Sequence, residues 1–247
     1  MATTGLRQFG KEFLRPRVSR DPFLPSSKSL SSGLNASRIS NEAGNRKDGM
    51  VKKDFFNQMA ANWDGRFYTT EMAERLPKLV SSFRVQKGAK ILDVGAGTGG
   101  IIPYLLEAIG QGGSLWAIDY AEEMVRIGRT KFQKESRVVF ELASVETLPY
   151  KDQFFDQVIC FGAFPHFEDK ERALEEMGRV LKSGGTLIIA HALSSVALRS
   201  HHQNCGPVSK DFLPEEGEMR SLLEKAGFQL KRLIDQPNCY LCEGEKA

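Results

Sequence analysis

The chain has 247 residues, 41% of them apolar, with 34 Lys and Arg against 31 Asp and Glu, so it can bury one sizeable core and carries a formal net charge of only +3. Much of that small excess sits in the first fifty residues, which gives no reason to expect a nucleic-acid partner, and no apolar run is long enough to cross a bilayer as a helix. Four cysteines without a paired framework or a signal peptide fit a reducing compartment, so the expected location is the cytoplasm.

Residues 1–49 differ in kind from the remainder. They hold nine Lys or Arg, four acids (Glu12, Asp21, Glu42 and Asp48) and a serine-rich block from Ser19 to Ser40 that contains Pro22 and Pro25. No apolar period is sustained there, and the expectation is a disordered extension ahead of one domain at 50–247. Its composition is also that of an organellar transit peptide, which leaves an organellar location open, as does a start at Met50.

From Val51 the apolar spacing becomes helical: Phe55, Phe56, Met59, Ala60 and Trp63, then Met72, Leu76, Leu79 and Val80. This predicts two amphipathic helices over about 51–82, with Pro77 marking a break or kink.

Next comes Lys90–Gly100. Three apolar positions surround an acid, Asp93, and the glycines Gly95, Gly97, Gly99 and Gly100 follow, just ahead of the helix-like run Ile101–Ile109. This reads as a buried strand, a tight loop and a helix N-terminus, where the backbone must turn through torsions that side chains block and must let a ligand come close. The spacing Gly95-x-Gly97-x-x-Gly100 also satisfies a dinucleotide fingerprint, with Asp119 placed to hold a ribose, so the glycines alone leave a nicotinamide cofactor open. An acid two residues before the glycines would repel a pyrophosphate and suits a ligand carrying positive charge and an amino group.

The segment resembles the first motif of class I S-adenosylmethionine-dependent methyltransferases, acid-x-Gly-x-Gly-x-Gly, here Asp93, Gly95, Gly97 and Gly99. The resemblance implies an α/β, Rossmann-like three-layer sandwich with a seven-stranded, mostly parallel sheet and a terminal antiparallel hairpin, and S-adenosyl-L-methionine as cofactor. It also implies that Ala96 and Thr98 line the same loop, and that the two N-terminal helices lie across the cofactor mouth as a lid. Phe55, Trp63, Phe67 and Tyr68 then become candidate lid residues, although each could equally be plain core.

The remaining elements follow the same family pattern. Gly113–Tyr120 is a second strand ending in Asp119, the acid that the resemblance assigns to the ribose hydroxyls, with Tyr120 beside the adenine and Met124 below it. A helix over 122–134 leads to the strand Val138–Leu142 and then to Ser144 and Val145. Family members commonly carry Asp-Ala at those two places, so Ser144 would replace the acid that reaches the adenine amino group.

The Phe155-Asp156 pair opening the apolar strand Asp156–Gly162 resembles the type 11, quinone C-methyltransferase-like branch. Its C-terminal end places Phe161 at the cofactor and His166 near the transferred methyl. A helix over 168–181, a turn at 182–185 and a strand over 186–191 put His191 at the end of the fifth strand. The stretch 192–213 is the least family-generic, and holds His201, His202, Cys205 and Asp211. Neighbours such as His201 and His202 point apart, so no metal site is expected. A helix over 214–227 precedes two short strands whose hairpin closes methyltransferase sheets and not dinucleotide domains. Residues three apart in a strand face opposite sides, so Cys239 and Cys242 are read as packing residues.

The chemistry implied is methyl transfer by in-line displacement to a small, apolar or aromatic acceptor, with His166 or His191 as the base where the acceptor must lose a proton. The alternative of a different class is a cofactor-binding regulatory or assembly protein without turnover, to which the Ser144-Val145 departure lends weight.

Overall fold

A computed structural model describes residues 44–247; the expected extension lies outside the described residues up to position 43. The first helix, α1 (Gly44–Met59), begins ahead of the expected domain boundary. A short 3-10 turn leads to α2 (Trp63–Phe67) and α3 (Thr70–Ser81), so three helices stand where two were expected. Thr69 caps α3 by accepting from the Met72 N–H, and the helix runs through Pro77 without a break because Leu76 and Val80 on its inner face are buried.

The sheet then builds in alternation: β1 (Lys90–Val94), α4 (Ile102–Ile109), β2 (Ser114–Asp119), α5 (Glu122–Phe132), β3 (Val138–Leu142), β4 (Phe155–Phe161), α6 (Lys170–Val180) and β5 (Leu181–His191). After α7 (Ser195–His202) and α8 (Glu216–Lys225), β6 (Phe228–Gln236) and β7 (Cys239–Lys246) close the chain. The strand order is β3-β2-β1-β4-β5-β7-β6, parallel from β3 to β5, with β7 antiparallel to both β5 and β6. The order reverses between β1 and β4, the crevice where open α/β sheets take ligands.

Both sheet faces are covered. On one, α6 and α8 bring Leu174, Met177 and Leu223 onto Leu92, Val158 and Leu187; on the other, α3, α4 and Val125 of α5 cover Ile91, Ile159 and Ile188. Strands buried on both faces need apolar side chains at nearly every position, which is why they read as continuous apolar runs. The expected turn at 182–185 is a bulge within β5: Phe155 pairs with Leu181, and the register resumes at Gln157 with Thr186. Cys239 packs on one side of the sheet and Cys242 on the other, and both thiols are free.

Candidate cofactor and acceptor site

The loop after β1 is wound around Asp119, at the end of the neighbouring strand. Gly97 donates its N–H to Asp119 Oδ2 at 2.8 Å, Ala121 donates to Oδ1 at 2.9 Å, and Ala96 donates to the Ile118 carbonyl at 2.9 Å. Gly95, Gly97 and Gly99 all take left-handed torsions (φ +69°, +56° and +85°), so the alternation with Ala96 and Thr98 is what permits this path. An ionised carboxylate accepts at about four positions, so Asp119 keeps capacity for a ligand beyond the two N–H groups it binds. Burial raises its pKa to about 6 against the pull of those N–H donors.

Asp93, at the end of β1, is 1% exposed, and its Oδ2 has no hydrogen-bond partner. Burial first, and then the charge of Asp119, push its pKa up to about 8. A buried carboxyl left unpaired is costly, and an ammonium group brought to it would relieve both the desolvation and the missing bond. The buried Tyr120 hydroxyl, one residue past Asp119, also lacks a partner, and burial pushes its pKa up. Asp93 and Tyr120 thus hold two of the four such side-chain atoms among the described residues.

The N-terminal helices lie directly on the glycines. A Cβ at Gly97 would stand 3.3 Å from Trp63 Nε1, one at Gly100 1.8 Å from Tyr68 Cζ, and one at Gly95 2.3 Å from Ala163 Cβ. Asp64 of α2 accepts from Thr98 Oγ1 at 2.5 Å and pairs with Lys131, whose Nζ also donates to the Thr98 carbonyl at 3.1 Å. On α1, Lys53 pairs with Glu122, and Asn57 binds the start of α5 by donating to Glu122 and accepting from the Glu123 N–H at 3.0 Å. Met124 is accordingly 1% exposed and packs with Phe56 of α1 and with Ala60 as well as with Tyr120.

On the far side of the loop, the chain leaves β4 through Gly162 (φ +75°) into the 3-10 turn Phe164–His166. This brings His166 against the Phe56 ring (centroids 5.1 Å), and Phe56 also touches Tyr120 (6.1 Å). His166 Nδ1 lies 2.8 Å from Asp211 Oδ2. Burial lowers the His166 pKa, and Asp211 opposes that shift. His191 sits at the end of β5, where burial, with the other histidines, drives its pKa down to about 3, and its Nδ1 accepts the Leu193 N–H at 3.1 Å.

The other sequence candidates lie after β3 and at the end of β4. Ser144 is exposed, and its hydroxyl accepts from the Glu146 N–H at 3.3 Å; Val145 is buried beneath it. Phe161 packs with Tyr68 and Met72 against the lid-side core. Asp64, Lys131 and Lys52 join the site without any signal in their spacing. Each reaches it across a long stretch of chain, with Thr98 34 positions beyond Asp64.

Residues 92–189 match the family described as a methyltransferase domain. The chain is 31% identical over 142 residues to the ubiquinone/menaquinone biosynthesis C-methyltransferase UbiE of Bordetella avium, the match covering 55% of each chain. To the protein of the same name from Yersinia pestis bv. Antiqua it is 30% identical over 185 residues, covering 72% of each. The chain thus spans little more than half the length of the first of these relatives. A solved SAM-dependent methyltransferase from Aquifex aeolicus shares the fold with a TM-score of 0.63 and 24% identity, over 77% of this chain and 98% of that one.

Proposed function

The chain belongs to the class I S-adenosylmethionine-dependent methyltransferases, and from that premise we propose that it transfers a methyl group from S-adenosyl-L-methionine to a small, apolar or aromatic acceptor. The observation that carries the cofactor assignment is the unpartnered, buried Asp93 Oδ2 at the mouth of the glycine loop. It suits the ammonium of a methionine moiety and would repel the pyrophosphate of a dinucleotide.

When bound, S-adenosylmethionine supplies a methyl group already activated by its sulfonium. Asp93 would hold the amino group and Asp119 the ribose hydroxyls, while Gly95, Gly97 and Gly99, with Ala96 and Thr98, let the ligand meet main chain. Tyr120, Met124, Ser144, Val145 and Phe161 would border the rest of the molecule. Trp63, Asp64 and Tyr68, lying on the loop, would exclude water. Alignment of methyl and acceptor accounts for roughly 7–11 kcal/mol of barrier lowering in such reactions, so no covalent catalyst is required. For an acceptor that loses a proton, His166 is the better base, because the depressed pKa of His191 leaves it too weak. The aromatic surround of Phe56, Tyr120, Phe164 and Phe167, together with the activity in the relatives' name, supports an apolar or aromatic acceptor.

Calorimetric titration with S-adenosylmethionine, with NAD in parallel, tests the pocket. Micromolar affinity for the first alone is expected, followed by transfer of labelled methyl to a member of an aromatic acceptor panel. Binding of NAD alone would overturn the cofactor assignment, and tight binding without transfer to any acceptor would favour a regulatory protein without turnover.

A further inference from the structure

Asp211 lies between the 3-10 turn Gly206–Val208 and α8, and is 5% exposed. Its Oδ2 is 2.8 Å from His166 Nδ1, its Oδ1 is 2.8 Å from Lys52 Nζ, and its backbone carbonyl is 2.5 Å from His202 Nδ1. Carboxylate and carbonyl oxygens only accept, so each imidazole must donate from Nδ1 and keep its lone pair at Nε2. One residue therefore ties together the turn after β4, the lid helix α1 and the end of α7. The lysine it binds comes from α1, the helix that packs on the start of α5 through Lys53, Asn57 and Phe56.

We propose that Asp211 is the positioning residue for His166, and that Lys52, by sharing the same carboxylate from α1, makes the docking of the lid set the strength of that base. The inference rests on the methyl-transfer reading above. In the reaction, His166 Nε2 takes the proton that the acceptor loses as the acceptor's bond to the methyl carbon forms and the carbon–sulfur bond breaks, its electron pair staying on sulfur. Asp211 keeps Nδ1–H engaged throughout and stabilises the imidazolium that results.

The charged and titratable groups that act on His166 are Asp211, Lys52, His202 and His191, while Lys170 and Tyr120 act on Asp211 in turn, and Glu168 on Tyr120. Asp211 raises the affinity of His166 for a proton, whereas His202 and Lys52 lower it. The carboxylate and its second partner, Lys52, thus act on His166 in opposite senses. A merely structural role for Asp211 and Lys52 predicts that the acid limb of kcat/KM stays where it is when either is replaced.

The test is imidazole nitrogen NMR on the full chain saturated with S-adenosylhomocysteine. The four histidines are assigned by single His→Gln variants, and the wild type, Asp211→Asn and Lys52→Met are titrated with acid. His166 should be the Nδ1–H tautomer. Its midpoint should fall by about one unit in Asp211→Asn and rise in Lys52→Met, with S-adenosylhomocysteine affinity unchanged within about twofold in both. Once an acceptor is found, the acid limb of kcat/KM should move in the same two directions. An Nε2–H tautomer, or midpoints that stay fixed or move together, would overturn the proposal. Failure of S-adenosylhomocysteine to bind would instead count against the methyl-transfer reading, and the same titration on the free protein would still decide the His166–Asp211–Lys52 linkage.

Discussion

Replacing Asp93 by Asn should make the free protein increasingly more stable than the wild type as pH rises, while weakening S-adenosylmethionine binding by about 30-fold or more. Burial and the Asp119 charge lift the Asp93 pKa from 3.8 to about 8. The fold therefore retains a proton that the unfolded chain has already lost over that interval, and wild-type stability falls as pH climbs through it. Each unit corresponds to about 1.4 kcal/mol, which sets a ceiling of about 4 kcal/mol between pH 5 and pH 8. Local relaxation and water entry reduce such ceilings in real interiors, and about 2 kcal/mol is expected, or roughly 4–8 °C in Tm for a chain of this size. Asparagine stays neutral throughout, and the raised pKa of Asp119 is common to both proteins, so the difference in Tm isolates Asp93. Thermal denaturation at pH 5, 6.5 and 8 measures it, and a difference independent of pH would refute the reasoning. The same ionisation has a second signature. At pH 7 a ligand ammonium drawing Asp93 into its carboxylate form should release about 0.9 proton, read from the dependence of binding enthalpy on buffer ionisation enthalpy.

Four further substitutions separate ligand from scaffold. Gly95→Ala forces a side chain onto a φ of +69° and a Cβ to within 2.3 Å of Ala163 Cβ, so it should weaken S-adenosylmethionine binding at least tenfold and lower Tm, whereas Gly217→Ala in α8, with nothing within 4 Å, should leave affinity alone and raise stability by about 0.5–1 kcal/mol. Glu176 accepts from the Leu148 N–H at 2.8 Å and pairs with Arg172 and Arg179; Glu176→Ala should cost about 2–4 kcal/mol in urea denaturation, and because these partners lower the Glu176 pKa, wild-type stability at this site should be present above the ordinary glutamate range and lost as pH falls through the lowered value. Leu76→Ala, at a position 1% exposed where α3 meets the sheet, should cost about 2–4 kcal/mol by the same measurement without changing the pH dependence of binding.

The sheet and the cofactor loop were legible because their signals are local. A parallel strand buried on both faces must be apolar at nearly every position, and a loop that turns left-handed at Gly95, Gly97 and Gly99 must place glycine there, so both facts stand in the sequence as composition and spacing. The Lys182–Gly185 bulge was legible only as a turn. Its membership of β5 depends on which β4 residue each side faces, and that pairing is set by the sheet. Pro77 misleads in the opposite direction, since the burial of Leu76 and Val80 outweighs the N–H that proline removes.

The lid and the acceptor side escaped local reading for a common reason. Lys52 meets Asp211, and Arg75 of α3 donates to the carbonyls of Ala192 and Asn238, positions 117 and 163 residues away. No periodicity encodes such partners, because surface lysines, arginines and aspartates look alike until the fold chooses among them. One glycine bears on these contacts, and its meaning needs the fold. Gly100 satisfies no torsional need, having no left-handed φ, yet a Cβ there would overlap Tyr68. That glycine exists to admit the lid and not to turn the chain. The glycine cluster therefore serves two needs, the left-handed turns at Gly95, Gly97 and Gly99 and the close contact of Tyr68 at Gly100, which sequence reading merges into one. A Gly100→Ala variant should separate them: displacing Tyr68 should loosen the lid while leaving Asp93 and Asp119 in place, so S-adenosylmethionine should bind with faster dissociation and no loss of the proton released at Asp93. Unchanged dissociation kinetics would show that the lid does not close over the ligand.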